Sequence, residues 1–273
     1  MNKKSFTGYH LKLIALITMF IDHVAAVVIW RVYEASYSIT ASMQLSDKIA
    51  DKIIVWVAQN QDAVYSIYEV MRYIGRMAFP IYCFLLVEGF LHTRNVAKYA
   101  GRLGLFALIS EIPFDVSLEG SWYEPLYSNV FFTLALGLIT IWALSYIEKI
   151  AEFWMEKQWE PILGRILTRS AALIVILTMG LFAEMVLYTD YGLGGIIAIA
   201  VLYLLRGNKT IAFAAAVLAL TIVTDDIEIL ALFMLYPIMK YDGSRGKNLK
   251  YIFYAFYPVH LLVLALICMA IGV

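Results

Sequence analysis

Asp22 and His23 stand side by side in LKLIALITMFIDHVAAVVIW, Leu11 to Trp30, a stretch otherwise apolar enough to cross a bilayer. A charged side chain at mid-bilayer costs at least ~2.5 kcal/mol, so an acid and an imidazole there call for a partner or a reaction. Histidine is the usual general base. It can take the proton of an amine or hydroxyl as that group attacks an acyl carbonyl. A second histidine, His260, lies in FYPVHLL near the other end of the chain. At ~1.5 Å per residue, His23 is about 16 Å beyond Lys12 and His260 about 15 Å beyond Lys250. The two rings are therefore expected to share a depth near the midplane.

Other polar residues fall inside or at the edges of apolar runs: Arg72, Arg76, Glu88, His92, Glu111, Asp115, Glu184, Asp225 and Asp226. Neighbours on a helix point about 100° apart, so Asp22 cannot orient His23 and is expected to pair with an arginine of another span. Arg76 is the candidate, provided that its span tilts or Pro80 kinks it. Glu88 lies about 9 Å above Arg94 along a helix and is expected to meet a basic group near an entrance. In SEIPFD, Glu111 and Asp115 bracket Pro113, either to cap a helix end or to bind an amine. Pro258 frees a backbone carbonyl one turn before it.

The elements that must position these groups are membrane helices. Of 273 residues, 62% are apolar and 15% charged, against about 25% charged in a soluble domain. Mean hydropathy is +0.77. An all-α polytopic fold is expected, one domain over 1–273, with about nine spans: 11–30, 70–92, 98–114, 125–147, 169–188, 191–206, 209–224, 226–241 and 251–272. A cytoplasmic N-terminus puts Lys3, Lys4, Lys12, Arg94, Lys98, Arg102, Lys149, Lys157, Arg165, Arg169, Arg206, Lys209, Lys240, Arg245, Lys247 and Lys250 inside, sixteen of the 21 basic residues. Arg31, Lys48 and Lys52 fall outside, as the positive-inside rule requires.

The outer loop, residues 31–68, spaces Ile49, Ile53, Trp56 and Val57 at helical intervals. The inner loop, residues 148–168, continues a similar pattern from Ile147 through Ile150, Ala151 and Trp154. Both are expected to be amphipathic interfacial helices. The basic start is read as preceding a retained first span, since no small-residue cleavage site follows. Cys83 and Cys268 lack metal-ligand spacing and read as buried thiols, and no metal is expected. YGLGG, Tyr191 to Gly195, reads as a tight turn with close helix packing, not a phosphate loop. Net charge is zero, which argues against a nucleic-acid partner.

From the residues alone, two functions stand level. A mid-membrane imidazole reached from both faces suits acyl transfer between substrates arriving from opposite sides, with basic loops holding the phosphates of a nucleotide-bearing donor. A proton-coupled transporter, or a lipid-handling protein on the same scaffold, also buries His, Asp and Arg at mid-depth.

The ordered set LKLIALITMFIDHV, IGRMAFPIYCFLLVEGFLHTRN, FALISEIPFD, NVFFTLALGL and FYPVHLL resembles the TraX family. That family is named for the protein that acetylates the N-terminus of conjugative pilin. It is in turn similar to wider transmembrane acyltransferases, including O-antigen acetylases. The resemblance implies a bacterial inner or plasma membrane enzyme, acetyl-CoA as co-substrate, an extracytoplasmic amine or hydroxyl acceptor (pilin, glycan or lipid), and a homodimer as a reasonable state. In the O-antigen acetylases an arginine and a histidine mark the first span, ten residues between them. Lys12 and His23 have that spacing, with lysine for arginine. The resemblance therefore implies His23 as catalytic base and His260 as a second site residue, with Asp22 or Arg76 tuning the surroundings of His23. Lys12, Arg76, Glu88, Arg94, Glu111 and Asp115 are the candidate substrate-binding residues.

Overall fold

The computed structural model describes residues 5–37, 49–156, 161–247 and 250–273. Lys3, Lys4, Lys48 and Lys157, and the side chains of Ile49, Trp154 and Lys250, lie outside the described residues. Among the described residues the fold is helical, with two isolated parallel bridges, Phe6 to Tyr241 and Ser128 to Thr189. Five helical stretches are long and apolar enough to cross a membrane: Gly8–Tyr37, Gln61–His92, Val130–Phe153, Gly164–Met185 and Tyr251–Ile271. This is an all-helical membrane protein.

One of the nine expected spans, 226–241, is not a regular α-helix. Residues 226–241 form a 3-10 segment, Asp226–Met234, and a five-residue helix, α11 (Leu235–Met239). The tighter winding and poorer hydrogen bonds of a 3-10 run make so long a segment unusual. Residues 31–68 contain most of α2 (Trp30–Tyr37), α3 (Ile49–Gln59) and the start of α4 (Gln61–Gly75). The described part of residues 148–168 belongs to the ends of two long helices, α7 (Val130–Glu156) and α8 (Pro161–Met185).

Helix α1 (Gly8–His23) buries Leu11, Ala15 and Met19 at four-residue spacing against α4 and α5 (Ala78–His92). Immediately after His23 the chain widens into a π-helical turn, Val24–Ile29, a distortion that often marks functional positions. Cys268 donates its thiol hydrogen to the Val27 carbonyl in that turn, Sγ to O 3.5 Å. Both cysteines are buried and free.

The break between α4 and α5 follows from Pro80. Its ring cannot donate to the carbonyl four residues back, which is that of Arg76, and clashes with it. Helix α4 accordingly stops at Gly75 and α5 starts at Ala78. At the centre, α9 (Gly192–Leu204) is buried on almost every side by α5, α7, α8 and α10 (Lys209–Val223). Its glycines permit this: a Cβ on Gly195 would meet Thr133 and Phe79, and one on Gly194 would meet Thr224. Tyr191, left-handed at φ 65°, turns the chain into α9 and stacks on Phe79 with ring centroids 3.7 Å apart. On α8, Leu173, Ile174, Leu177 and Leu181 stay exposed. In a membrane these contact lipid.

Candidate active site

One face of α1 carries Gly8, Lys12, Met19 and His23, since steps of four and eleven residues return close to the same direction on a helix. The first three line a cavity of about 490 Å³. Its other walls are α5 (Tyr82, Leu86, Glu88), α6 (Val96–Leu118, through Tyr99 and Arg102), the start of α7, and α12 (Lys250–Ile271). Lys12, Arg102 and Arg245 stand toward the end where α1 begins; Met19, Val130, Phe131 and Tyr257 lie at the deep end. The Arg102 guanidinium sits 5.6 Å from the centre of the Tyr99 ring, and its buried Nε has no partner.

Beyond Tyr257 lie the two histidines. Nδ1 of His23 is 2.7 Å from Nε2 of His260, with the rings stacked at 4.9 Å between centroids. Nδ1 of His260 is 2.7 Å from the Phe256 carbonyl oxygen. A carbonyl only accepts, so His260 Nδ1 carries the hydrogen. With both rings neutral, His260 Nε2 must then accept from the Nδ1–H of His23. That leaves Nε2 of His23 as the ring's open lone pair, the atom a general base needs.

Asp22 does not meet Arg76. It pairs with Arg72, Oδ2 to Nη1 at 2.7 Å. Gly75 makes the approach possible: Asp22 occupies the space a Cβ there would fill. Arg76, at the helix break, turns instead to Glu228, Nη1 to Oε1 at 3.3 Å. Glu228 is fully buried, and its second oxygen has no partner. Asp190 lies within electrostatic reach of Arg76, Arg72 and Asp22. These charges form a second polar layer at mid-chain depth, beside the histidines and apart from the cavity.

Glu88 lines the cavity and accepts from the Tyr241 hydroxyl at 3.3 Å. Arg94 is exposed on the turn after α5 and is absent from the lining. Glu111 accepts from the Asn129 backbone N–H at 3.2 Å and from its side-chain amide. Asp115 accepts from the Glu124 N–H at 3.0 Å. Asn129 in turn caps the start of α7 through Phe131 N at 3.0 Å. The two acids thus hold the α6–α7 connection. Missing from the sequence reading are Glu228 and Asp190 in the polar layer, and Tyr257 in the cavity wall. Glu228 follows two more conspicuous acids in DDIEIL, and Tyr257 sits inside the YAFYPVHL run that drew attention to His260.

The TraX protein family matches residues 7–268. The chain belongs to the TraX family. The TraX match takes in every cavity and polar-layer residue named above. The chain is also similar to a protein of Dichelobacter nodosus described as "Probable fimbrial assembly protein FimC, serogroup H1", at 29% identity over 97% of this chain and 96% of the relative. No solved structure matches.

Proposed function

We propose that this chain is an acetyl-CoA-dependent acyltransferase of the bacterial inner or plasma membrane. Its N-terminus and the cavity mouth face the cytoplasm, and the acceptor is an amine or hydroxyl presented from the other side. One observation carries the reading: a cavity with three cationic side chains toward one end, whose deep end abuts a hydrogen-bonded histidine pair. Lys12, Arg102 and Arg245 suit the phosphates of CoA. The tyrosines and leucines further in suit its narrow pantetheine arm. The thioester then arrives next to Tyr257, Met19 and the histidines.

His23 Nε2 removes the proton of the attacking amine or hydroxyl while the new bond to the acetyl carbon forms. The C–S bond breaks, and the sulfur leaves with its electron pair and takes that proton from His23. His260 holds the tautomer that makes this possible, and the Asp22–Arg72 pair fixes the neighbouring turn of α1. The fimbrial name of the relative favours a fimbrial or pilin subunit as acceptor. Transfer of label from acetyl-CoA in inside-out vesicles tests the assignment; full activity in His23→Ala refutes it.

The broken α4–α5 helix with its paired charges favours a second reading, a coupled transporter, because broken helices recur around transport sites. Purified protein separates the two. Thermal stabilisation by acetyl-CoA supports the enzyme, and solute flux without CoA release supports the transporter.

A further inference from the structure

We infer that Tyr257 is a catalytic residue, the hydrogen-bond donor to the thioester oxygen as the acetyl group is transferred. The inference rests on the acyltransferase reading and adds the group that bears the developing negative charge, which nothing above assigns.

Three placements carry it. Tyr257 lines the deep end of the cavity, at the far end from Lys12 and Arg245, where a thioester would arrive with its phosphates held near the mouth. Its ring meets both histidines edge-on, with centroids 5.8 Å from His23 and 5.8 Å from His260. A carbonyl beside it is therefore also beside the base. Val130 and Phe131, in the first turn of α7, line the cavity with it. Phe131 packs edge-on against the ring at 5.1 Å and, with 3% of Tyr257 exposed, holds it in one orientation. Such a fixed, desolvated donor is what a tetrahedral oxyanion needs.

The electrons balance without a further reagent. Attack forms the bond from acceptor to carbon and sends the carbonyl π pair onto oxygen, where the Tyr257 O–H donates without giving up its proton. Collapse restores the carbonyl and expels the thiolate, which is protonated from His23.

Tyr257→Phe removes only the oxygen. In detergent-solubilised, full-length protein it is expected to lower kcat for acetyl transfer about 100- to 1000-fold. The apparent KM for acetyl-CoA and its thermal shift should stay within about twofold. Difluorotyrosine at 257 keeps the ring and oxygen and changes only the hydroxyl acidity; it is expected to move kcat with no change in folding. If the wild type transfers acetyl and both variants keep its kcat, Tyr257 is a packing residue and the inference falls while the His23 assignment stands. If the wild type neither binds acetyl-CoA nor transfers from it, the acyltransferase reading fails and takes the inference with it.

Discussion

His23 and His260 lie 2.7 Å apart, nitrogen to nitrogen, although 237 residues separate them in the chain. With the Phe256 carbonyl behind them they form a relay that ends at one open nitrogen, Nε2 of His23. Loss of either ring therefore has different consequences. His23→Ala is expected to cut transfer by about 10²–10⁴, the range for a general base. His260→Ala removes one orienting hydrogen bond and is expected to lower kcat about tenfold, with little change in acetyl-CoA affinity. Equal losses in the two variants, measured with labelled acetyl-CoA, would contradict the assigned roles.

Arg72 and Arg76 are one helical turn apart yet serve different acids. Glu228→Ala leaves Arg76 in the bundle without its partner, at a cost of about 3–5 kcal/mol. Replacing both together, Arg76→Met with Glu228→Leu, is expected to recover most of that stability. Thermal unfolding in detergent compares them, and a double variant no better than the single would mean that the pair is not coupled.

Gly75 offers a sharper test of the Asp22 site. A methyl group there collides with the Asp22 side chain. Gly75→Ala is expected to destabilise the protein by about 1–3 kcal/mol through overpacking. Adding Asp22→Ala should relieve the clash, though it abandons the pair with Arg72. Unfolding midpoints of the single and double variants decide it.

Arg102 lines the cavity, and its buried Nε has no hydrogen-bond partner. One charge-assisted hydrogen bond is worth about 1.5–3 kcal/mol. Arg102→Ala is thus expected to weaken acetyl-CoA binding about 10- to 100-fold. Arg94→Ala, on an exposed turn outside the lining, should leave it unchanged. Isothermal titration with both proteins separates a phosphate site from a general attraction of the basic end.

Asp242 lies outside the spans in the segment that bridges to Phe6. The Ser244 hydroxyl and N–H pull its carboxyl down from 3.8 to about 2. A lowered value means stabilisation that is full above pH 4 and fades as pH falls toward 2. Amide exchange in residues 240–247 is therefore expected to be flat between pH 5 and 8, after correction for intrinsic rates. Asp242→Asn should raise it across that range.

Much was legible without coordinates. A run such as Leu11 to Trp30 has few ways to avoid a membrane, because its backbone must bond internally and its side chains favour lipid. The cost of His23 and His260 in hydrocarbon marked them from type alone, and counting residues put them at one depth. The charge pairing was not legible in the same way. Arg72 and Arg76 are equally arginine, and which of them meets Asp22 depends on where α4 breaks and on the bare face of Gly75.

What the sequence determined by itself was composition-driven and one-dimensional: helices, membrane residence, and the depth of groups along each helix. Rotation and neighbourhood were decided only when the helices packed. Glu228 was one acid among several until Arg76 turned to meet it, and Tyr257 one aromatic among many until α7 and α12 set it between the cavity and the two histidines. Rise along a helix is a local property of the backbone. Which face meets which neighbour is a property of the whole bundle, fixed by packing between residues hundreds of positions apart.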